Sequence, residues 1–335
     1  MKQLINNKQP DASTELAIEA KGLVKKFGRN IVVDHINLNI PKGTIFGFLG
    51  PNGSGKTTTV RMLSTLLPMN GGTVKVFGND LENESKEVRK RISLAGQYAS
   101  LDEDLTGMEN LLIIARLLGY SRSQAKKRAE TLLRLFKMEE AAKRQVKNYS
   151  GGMRRRIDIA GSIVKVPDIL FLDEPTTGLD PESRNQVWSI IRSLKDAGTT
   201  VFLTTQYLEE ADYLADRIAI IKEGKMIAEG TTAELKASLK TGILRIRFPG
   251  LKERHKAEKI LSPLFASSAS ENPNPLELLF EMENSQEAME EIRKLEKEKV
   301  VINEFSFGQP SLDEVFLQLT SYSSFQEDQR KEGAN

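Results

Sequence analysis

Between Leu16 and Gly230 the apolar residues come in short runs separated by stretches with helical spacing. The runs Thr44–Leu49, Ile92–Ala95, Ile169–Leu172, Thr200–Thr204 and Ile218–Ile221 are nearly unbroken, the pattern of strands buried on both faces. Before Thr200, residues Val187, Ile190, Ile191 and Leu194 recur at i, i+3, i+4 and i+7, which is one face of a helix. Pro181 suits the first turn of that helix, and Gly198 suits its end. Strand and helix alternating in this way predict an α/β fold with a mostly parallel sheet covered on both sides.

Two regions break the alternation. From about Gln97 to Val166 there is no convincing strand, and helical stretches begin near Gly107, Ser121 and Ser150. Ser121 and Gln124 form a capping-box pair, and Ala125, Ala129, Leu132 and Phe136 share one face. This segment reads as a helical subdomain inserted into the sheet domain. Beyond Gly242, Ile243–Phe248, Leu276–Met282 and Val300–Phe307 read as strands, with helical patterns at Glu253–Leu264 and Ser285–Lys297. The stretch from Ser267 to Pro275 is rich in Ser, Asn and Pro and reads as a loop. A last helix opens at Ser311, with Glu314 as its capping-box partner. The expected organisation is a flexible N-terminus (1–14), an α/β domain (15–242), a small α+β domain (243–320) and a flexible tail (321–335).

Composition narrows the function classes. The chain has 335 residues, enough for two compact units. Hydrophobic residues make up 39% and charged residues 28%, as in ordinary globular proteins. Lys and Arg total 48 against 46 for Asp and Glu, so the net charge is only +2, without the basic excess of a dedicated nucleic-acid binder. With no cysteine, thiolate zinc sites, disulfides and cysteine nucleophiles are all excluded. No run approaches the ~20 apolar residues of a membrane helix, so work at a membrane would require a span from another chain.

Three motifs carry candidate chemistry. Gly50-Pro51-Asn52-Gly53-Ser54-Gly55-Lys56-Thr57 fits G-x-x-x-x-G-K-[ST], preceded by a strand pattern and followed by a helix pattern over Thr58–Leu67. In this phosphate-binding P-loop the glycines let backbone N–H groups turn inward, and the helix adds its positive end. Lys56 is expected to reach the β- and γ-phosphates of a nucleotide, and Thr57 to ligate Mg²⁺, with Thr58 extending the binding segment. The second motif is the apolar strand ending in Asp173 and Glu174. Beside a P-loop, Asp173 is suited to hold Mg²⁺ and Glu174 to deprotonate the attacking water. The third is Asn148-Tyr149-Ser150-Gly151-Gly152-Met153, in which Ser150 caps a helix and Gly151 and Gly152 leave its first N–H groups bare for a phosphate.

Taken with the first two motifs, the third resembles the signature of the ABC family of transport ATPases, usually Leu-Ser-Gly-Gly-Gln. The resemblance covers roughly Leu16 to Leu239. It implies a P-loop NTPase fold of ABC type, with antiparallel N-terminal strands ahead of the mostly parallel sheet. It implies further that Gln97 is the Q-loop glutamine, sensing Mg²⁺ and water, and that Thr177-Gly178-Leu179-Asp180 is the D-loop at a dimer interface. Phe27 sits where the family stacks an aromatic on adenine; a core aromatic is the alternative reading. Where the family usually has a histidine contacting the γ-phosphate, this chain has Gln206. An amide can donate a hydrogen bond but carries no charge, and charge-assisted bonds are about twice as strong as neutral ones. Thr-Thr-Gln-Tyr-Leu-Glu-Glu-Ala-Asp from Thr204, with Pro310-Ser311-Leu312-Asp313-Glu314-Val315-Phe316, resembles the daunorubicin-resistance type of export ATPase.

One P-loop and one signature per chain imply a homodimer, or a pairing with a related subunit, that shares two ATP molecules. The resemblance implies ATP and Mg²⁺ as ligands, a separate transmembrane permease as partner, and a place on the cytoplasmic side of the membrane. The segment Leu101–Lys147 is then expected to meet the permease. The alternatives are a soluble ABC ATPase acting on nucleic acid or ribosomes, and a P-loop phosphotransferase. The first lacks a basic surplus here, and the second leaves the signature helix and Glu174 without a role, so no nucleic acid is expected as partner.

Overall fold

Each central strand divides its side chains between two cores, and this sets the whole first unit. A computed structural model describes residues 15–96, 101–238, 242–262, 274–317 and 319. The chain divides into two compact units at Thr231–Thr232. The first opens with a long hairpin, β1 (Leu16–Phe27) and β2 (Asn30–Pro41), and continues into β3 (Ile45–Leu49). There follow α1 (Lys56–Leu63), the short strands β4 (Gly71–Val76) and β5 (Asn79–Asp80), α2 (Ser85–Arg91) and β6 (Ile92–Ala95). The helices α3 (Gly107–Leu117), α4 (Arg122–Leu135) and α5 (Gly151–Ser162) form the inserted helical segment. The chain then returns through β7 (Ile169–Asp173), α6 (Pro181–Asp196), β8 (Thr200–Thr205), α7 (Leu208–Leu214), β9 (Arg217–Lys222) and β10 (Lys225–Gly230).

The main sheet has the order β10-β9-β3-β8-β7-β6, parallel from β9 to β6, with β10 antiparallel at the edge. A second, antiparallel sheet has the order β2-β1-β4-β5. Along β7, Ile169 and Phe171 enter one core, while Leu170 and Leu172 enter the other, as the two-residue strand period requires. The first core is filled by Phe46, Phe48, Phe171 and Phe202, with α1 and the antiparallel sheet beyond. The second joins the sheet to α3–α6 through Leu132, Phe136, Ile157 and Ile191. Both faces being covered, the parallel strands are apolar over most of their length, which is why they were legible as nearly unbroken runs.

Element ends follow capping chemistry. Ser121 accepts from the Gln124 N–H at 3.3 Å and the Gln124 side chain accepts from the Ser121 N–H at 2.9 Å, the expected box. A second box, Thr106 with Glu109, starts α3. Ala125, Ala129, Leu132 and Phe136 all lie buried as their spacing predicts. The helix after the P-loop begins at Lys56 and ends at Leu63, shorter than the expected Thr58–Leu67. Thr65 takes a left-handed φ of 64°, which stops the helix there.

The second unit contains α8 (Thr232–Ala237), β11 (Gly242–Arg247), α9 (Leu251–Ile260), β12 (Glu277–Met282), α10 (Ser285–Lys297) and β13 (Glu304–Gly308). Its sheet is antiparallel, with β11 between β12 and β13. The division by packing falls before the change of texture at Gly242 because α8 groups with this unit. The expected strand Val300–Phe307 is corrected at its start. Lys299 turns with φ 52°, Val300 packs into the helical side of the core, and pairing with β11 begins only at Glu304. The Ser311–Glu314 capping box is present, with the Glu314 N–H donating to Ser311 Oγ at 3.3 Å. The stretch 263–273, which contains most of the expected loop, lies outside the described residues, as do the expected flexible ends 1–14 and 321–335.

The Phe202 ring lies 5.4–5.9 Å from those of Phe46, Phe48 and Phe171 and is fully buried. Phe202→Ala should therefore destabilise the first unit by about 3–5 kcal/mol, read by urea denaturation; a loss below about 1 kcal/mol would contradict the packing described.

Candidate nucleotide site

Strand register brings the three motif ends together. Leu49 pairs with Thr205, and Asp173 pairs with Thr204, so the P-loop, Gln206 and Glu174 all leave the same carboxyl edge of the sheet. Ligands in open α/β sheets bind at this edge. Asn52, Gly53, Gly55, Lys56, Thr57 and Thr58 line one side of a cleft of about 410 Å³ there. Val32, Glu174, Thr177 and Gln206 complete its lining.

The loop's shape requires glycine at two points. A Cβ on Gly50 would lie 2.4 Å from the Ile221 carbonyl oxygen, and one on Gly55 would lie 2.6 Å from that of Val32. Gly55 also has φ 103°, a conformation costly to any residue with a side chain. It occupies the N-cap of α1 without any side-chain cap, so the N–H groups of the first turn keep their hydrogen-bonding capacity for an anion. Ser54 Oγ is buried and has no hydrogen-bond partner among the described residues. An orphaned hydroxyl, a bare helix end and a cradle too tight for a Cβ fit a bound polyphosphate.

Lys56 is the charge at the centre. Its side chain is only 4% exposed, and Nζ donates to the carbonyl oxygens of Gly50 at 2.8 Å and Pro51 at 3.0 Å. Its ionic partner is Glu174, 3.2 Å away. Glu174 has a left-handed φ of 48°, uncommon for a residue with a side chain, at the abrupt turn after β7. Its N–H is held at 3.1 Å by both the carbonyl and the hydroxyl oxygen of Thr204, while Thr177 Oγ1 donates to its carboxylate at 3.3 Å. The Thr204 hydroxyl in turn donates to Asp173 Oδ1 at 2.5 Å. Asp173 is buried just behind the cleft, and with the Thr57 hydroxyl it offers the hard oxygen donors suited to Mg²⁺.

Ser150, Gly151 and Gly152 lie elsewhere and do not line this cleft. Ser150 caps α5, accepting from the Met153 N–H at 3.3 Å, and Ser150 and Gly151 are exposed. Gly152 is buried because a Cβ there would meet Ser183 Oγ at 2.2 Å, so α5 and α6 touch almost backbone to side chain. Asp180 caps α6 by accepting from the Ser183 N–H at 2.9 Å, and that bond is the main cause holding its carboxyl below the usual range. Phe27 is half exposed at the tip of the β1–β2 hairpin, with the Lys25 ammonium 5.3 Å from its ring. The core reading of Phe27 is therefore corrected, although the ring is not among the residues lining the cleft. Gln97 lies outside the described residues.

Sequence reasoning passed over Thr204 and Arg155. Arg155 is a buried guanidinium on α5 that donates to the carbonyl oxygens of Gly96, Pro175 and Asp173, at 2.5, 2.9 and 3.4 Å. Burial lowers its pKa, against the pull of Asp158, Glu210 and Asp173. It stands in the run Arg154-Arg155-Arg156, and the signal available was its i, i+3 spacing to Asp158, the buried ion-pair partner 3.3 Å away.

These features define a P-loop ATPase. Comparison with known proteins narrows the class. The family described as ABC transporter matches residues 33–177, and the C-terminal domain of DrrA1-3-like ATP-binding proteins matches residues 230–320. The daunorubicin/doxorubicin resistance ATP-binding protein DrrA of Streptomyces peucetius is 54% identical over 306 residues, covering 91% of this chain and 93% of its own. The Nod factor export ATP-binding protein I of Paraburkholderia xenovorans is 42% identical over 224 residues, covering 67% and 74%. Among solved structures, a dimeric ATP-binding cassette in a post-hydrolysis state with ADP and Pi superposes with a TM-score of 0.59 at 26% identity, over 64% of this chain and 98% of that one. The chain belongs to the ABC transporter family, in its DrrA-like group of ATP-binding proteins, and it binds and hydrolyses ATP.

Gly152→Ala should destabilise the first unit by about 1–3 kcal/mol through overpacking, and adding Ser183→Gly should restore part of that loss in the same denaturation assay. A Gly152→Ala protein as stable as its parent would show that the two helices are not in the contact described.

Proposed function

We propose that this chain is the ATP-hydrolysing subunit of a membrane exporter for a drug-like or hydrophobic compound, acting as a pair of nucleotide-binding subunits beneath a separate permease. The observation that carries the reading is the meeting of Lys56, Glu174 and Gln206 in one cleft. The compound class is suggested by the names of the resistance proteins that the chain resembles over nearly its full length.

In this reading the loop Gly50–Thr58 binds the phosphates. Its N–H groups and the α1 terminus face the oxygens, and Lys56 exchanges Glu174 for the β- and γ-phosphates. Release from Lys56 frees the Glu174 carboxylate to take a proton from the attacking water, which then joins phosphorus as the bond to the ADP oxygen breaks. Gln206 donates a neutral hydrogen bond to the γ-phosphate. Phe27 stacks on the adenine. Thr57 and Asp173, with Gln97, would hold Mg²⁺, which neutralises phosphate charge.

Ser150, Gly151 and Gly152 do not line their own chain's cleft, so the α5 terminus is free to meet the ATP of a second subunit, with Asp180 at the join. The permease is assigned to the helical segment. Ile113, Leu117 and Leu118, at the end of α3, are 47%, 82% and 48% exposed, an apolar group suited to a protein partner. No helix among the described residues is long and apolar enough to cross a membrane, so the proposed location is peripheral, on the cytoplasmic side, through the permease.

Lys56→Ala should weaken ATP binding and abolish turnover. Glu174→Gln should retain ATP binding and slow hydrolysis by about 10²–10⁴-fold. Nucleotide titration and phosphate release on the purified full chain measure both. Parental turnover in Glu174→Gln would contradict its assignment as base.

A further inference from the structure

A buried carboxylate outside the cleft has no role in the reaction as described. Glu210, on α7, is 1% exposed. Its Oε1 accepts from Thr176 Oγ1 at 2.7 Å and from Trp188 Nε1 at 3.0 Å. Oε2 is buried without a hydrogen-bond partner among the described residues. Burial pushes its pKa up, while Thr205, Thr176, Trp188 and the charge of Arg155 act the other way. A buried, incompletely satisfied carboxylate is costly, and apolar side chains at Glu210 and its partners together would fill the space without that cost. Filling space is therefore a poor account of an acid here.

Its partners supply a better one. Thr176 lies two residues beyond Glu174, whose own carboxylate is held by the next residue, Thr177. Gln206 lies two residues before α7, the helix that carries Glu210. Trp188 lies on α6, the helix capped by Asp180. On α5, behind Ser150, Arg155 grips the same chain segment through the carbonyl oxygens of Asp173 and Pro175. The turn that presents Glu174, the helix that follows Gln206 and the helix capped by Asp180 are thus joined at Glu210, and Arg155 holds the same turn.

We propose that Glu210 is a positioning residue for ATP hydrolysis, tying the Glu174–Thr177 turn and α6 to α7, the helix that follows Gln206. The proposal rests on the assignments of Glu174 and Gln206 made above. Because Glu210 does not line the cleft, its loss removes no contact to ATP. It loosens the groups that must be aligned when the γ-phosphate is attacked, and small misalignments there are costly in rate.

The test uses the full chain with Mg²⁺ and ATP, measuring kcat, KM and thermal unfolding for Glu210→Met, Glu210→Gln and Thr176→Val beside Glu174→Gln. Glu210→Met leaves the Thr176 hydroxyl and the Trp188 N–H without an acceptor and should lower the melting temperature by a few degrees, yet keep KM within about twofold and lose at least about tenfold in kcat. Glu210→Gln, whose amide oxygen can accept the Thr176 and Trp188 bonds, should recover most of that kcat. Thr176→Val, which removes one donor and keeps the carboxylate, should also lower kcat with KM unchanged, and it decides the matter if Glu210→Met does not fold. Parental kcat in Glu210→Met or in Thr176→Val would overturn the proposal. So would a fall in kcat accompanied by an equal rise in KM and a lowered melting temperature, the mark of a purely structural role. If Glu174→Gln turns over at the parental rate, the site assignment itself fails. If it is slow while the Glu210 and Thr176 variants are unaffected, only the present proposal fails.

Discussion

An ammonium group held 4% exposed has to be surrounded by acceptors, and in this chain the acceptors of Lys56 come from two different strand ends. The carbonyls of Gly50 and Pro51 belong to the loop after β3, while the Glu174 carboxylate belongs to the turn after β7. β8 lies between those strands, and its Thr204 completes the arrangement by bonding both Asp173 and the Glu174 N–H. The buried charge thus requires β3, β8 and β7 in register, with their carboxyl ends level. Glu174 can keep its unfavourable left-handed backbone because Thr204 and Thr177 hold it on two sides.

The same arrangement explains how a ligand can act on Glu174. A polyphosphate entering the cleft competes for Lys56 with the residue proposed to activate water. In the proposed mechanism, binding and release of Glu174 are therefore one event, and the carboxylate stays paired with Lys56 until a substrate replaces it. Around this centre the first unit is, in the proposed reading, half of a shared site. Its P-loop faces the cleft, and its helix start is exposed at Ser150 and Gly151, which do not line that cleft. The contact of Gly152 with Ser183 joins that helix start to the helix capped by Asp180, so the two surfaces proposed to meet a second subunit are mechanically linked.

Much of this was legible in the sequence, for identifiable reasons. Strands buried on both faces leave nearly unbroken apolar runs, and all five expected strands match to within a residue at each end. Ser121, Ser150 and Ser311 announced their helices because capping needs an oxygen at one fixed position. The P-loop was legible because only glycine fits at Gly50 and Gly55. The edge strand β13 was misjudged at its start because apolar Val300 packs into the core from a turn, which an alternation pattern cannot distinguish from a strand. Arg155, Thr204 and Glu210 were missed for a different reason. A polar residue gains its role from partners distant in sequence, such as Gly96 and Pro175 for Arg155, and local spacing does not carry that information.

The central claim is that the cleft is completed by a second subunit, and mixing two crippled chains tests it most directly. Lys56→Ala disables a chain's own phosphate loop, and Ser150→Arg disables what it offers its partner. In a mixed dimer one site combines the intact Lys56 of one chain with the intact Ser150 of the other. Each variant alone should be inactive. An equimolar mixture should regain ATPase activity toward about a quarter of the parental rate, since half the dimers are mixed and each holds one sound site of two. Full activity of the Ser150→Arg chain alone, or no recovery in mixed dimers whose formation has been verified, would contradict the account.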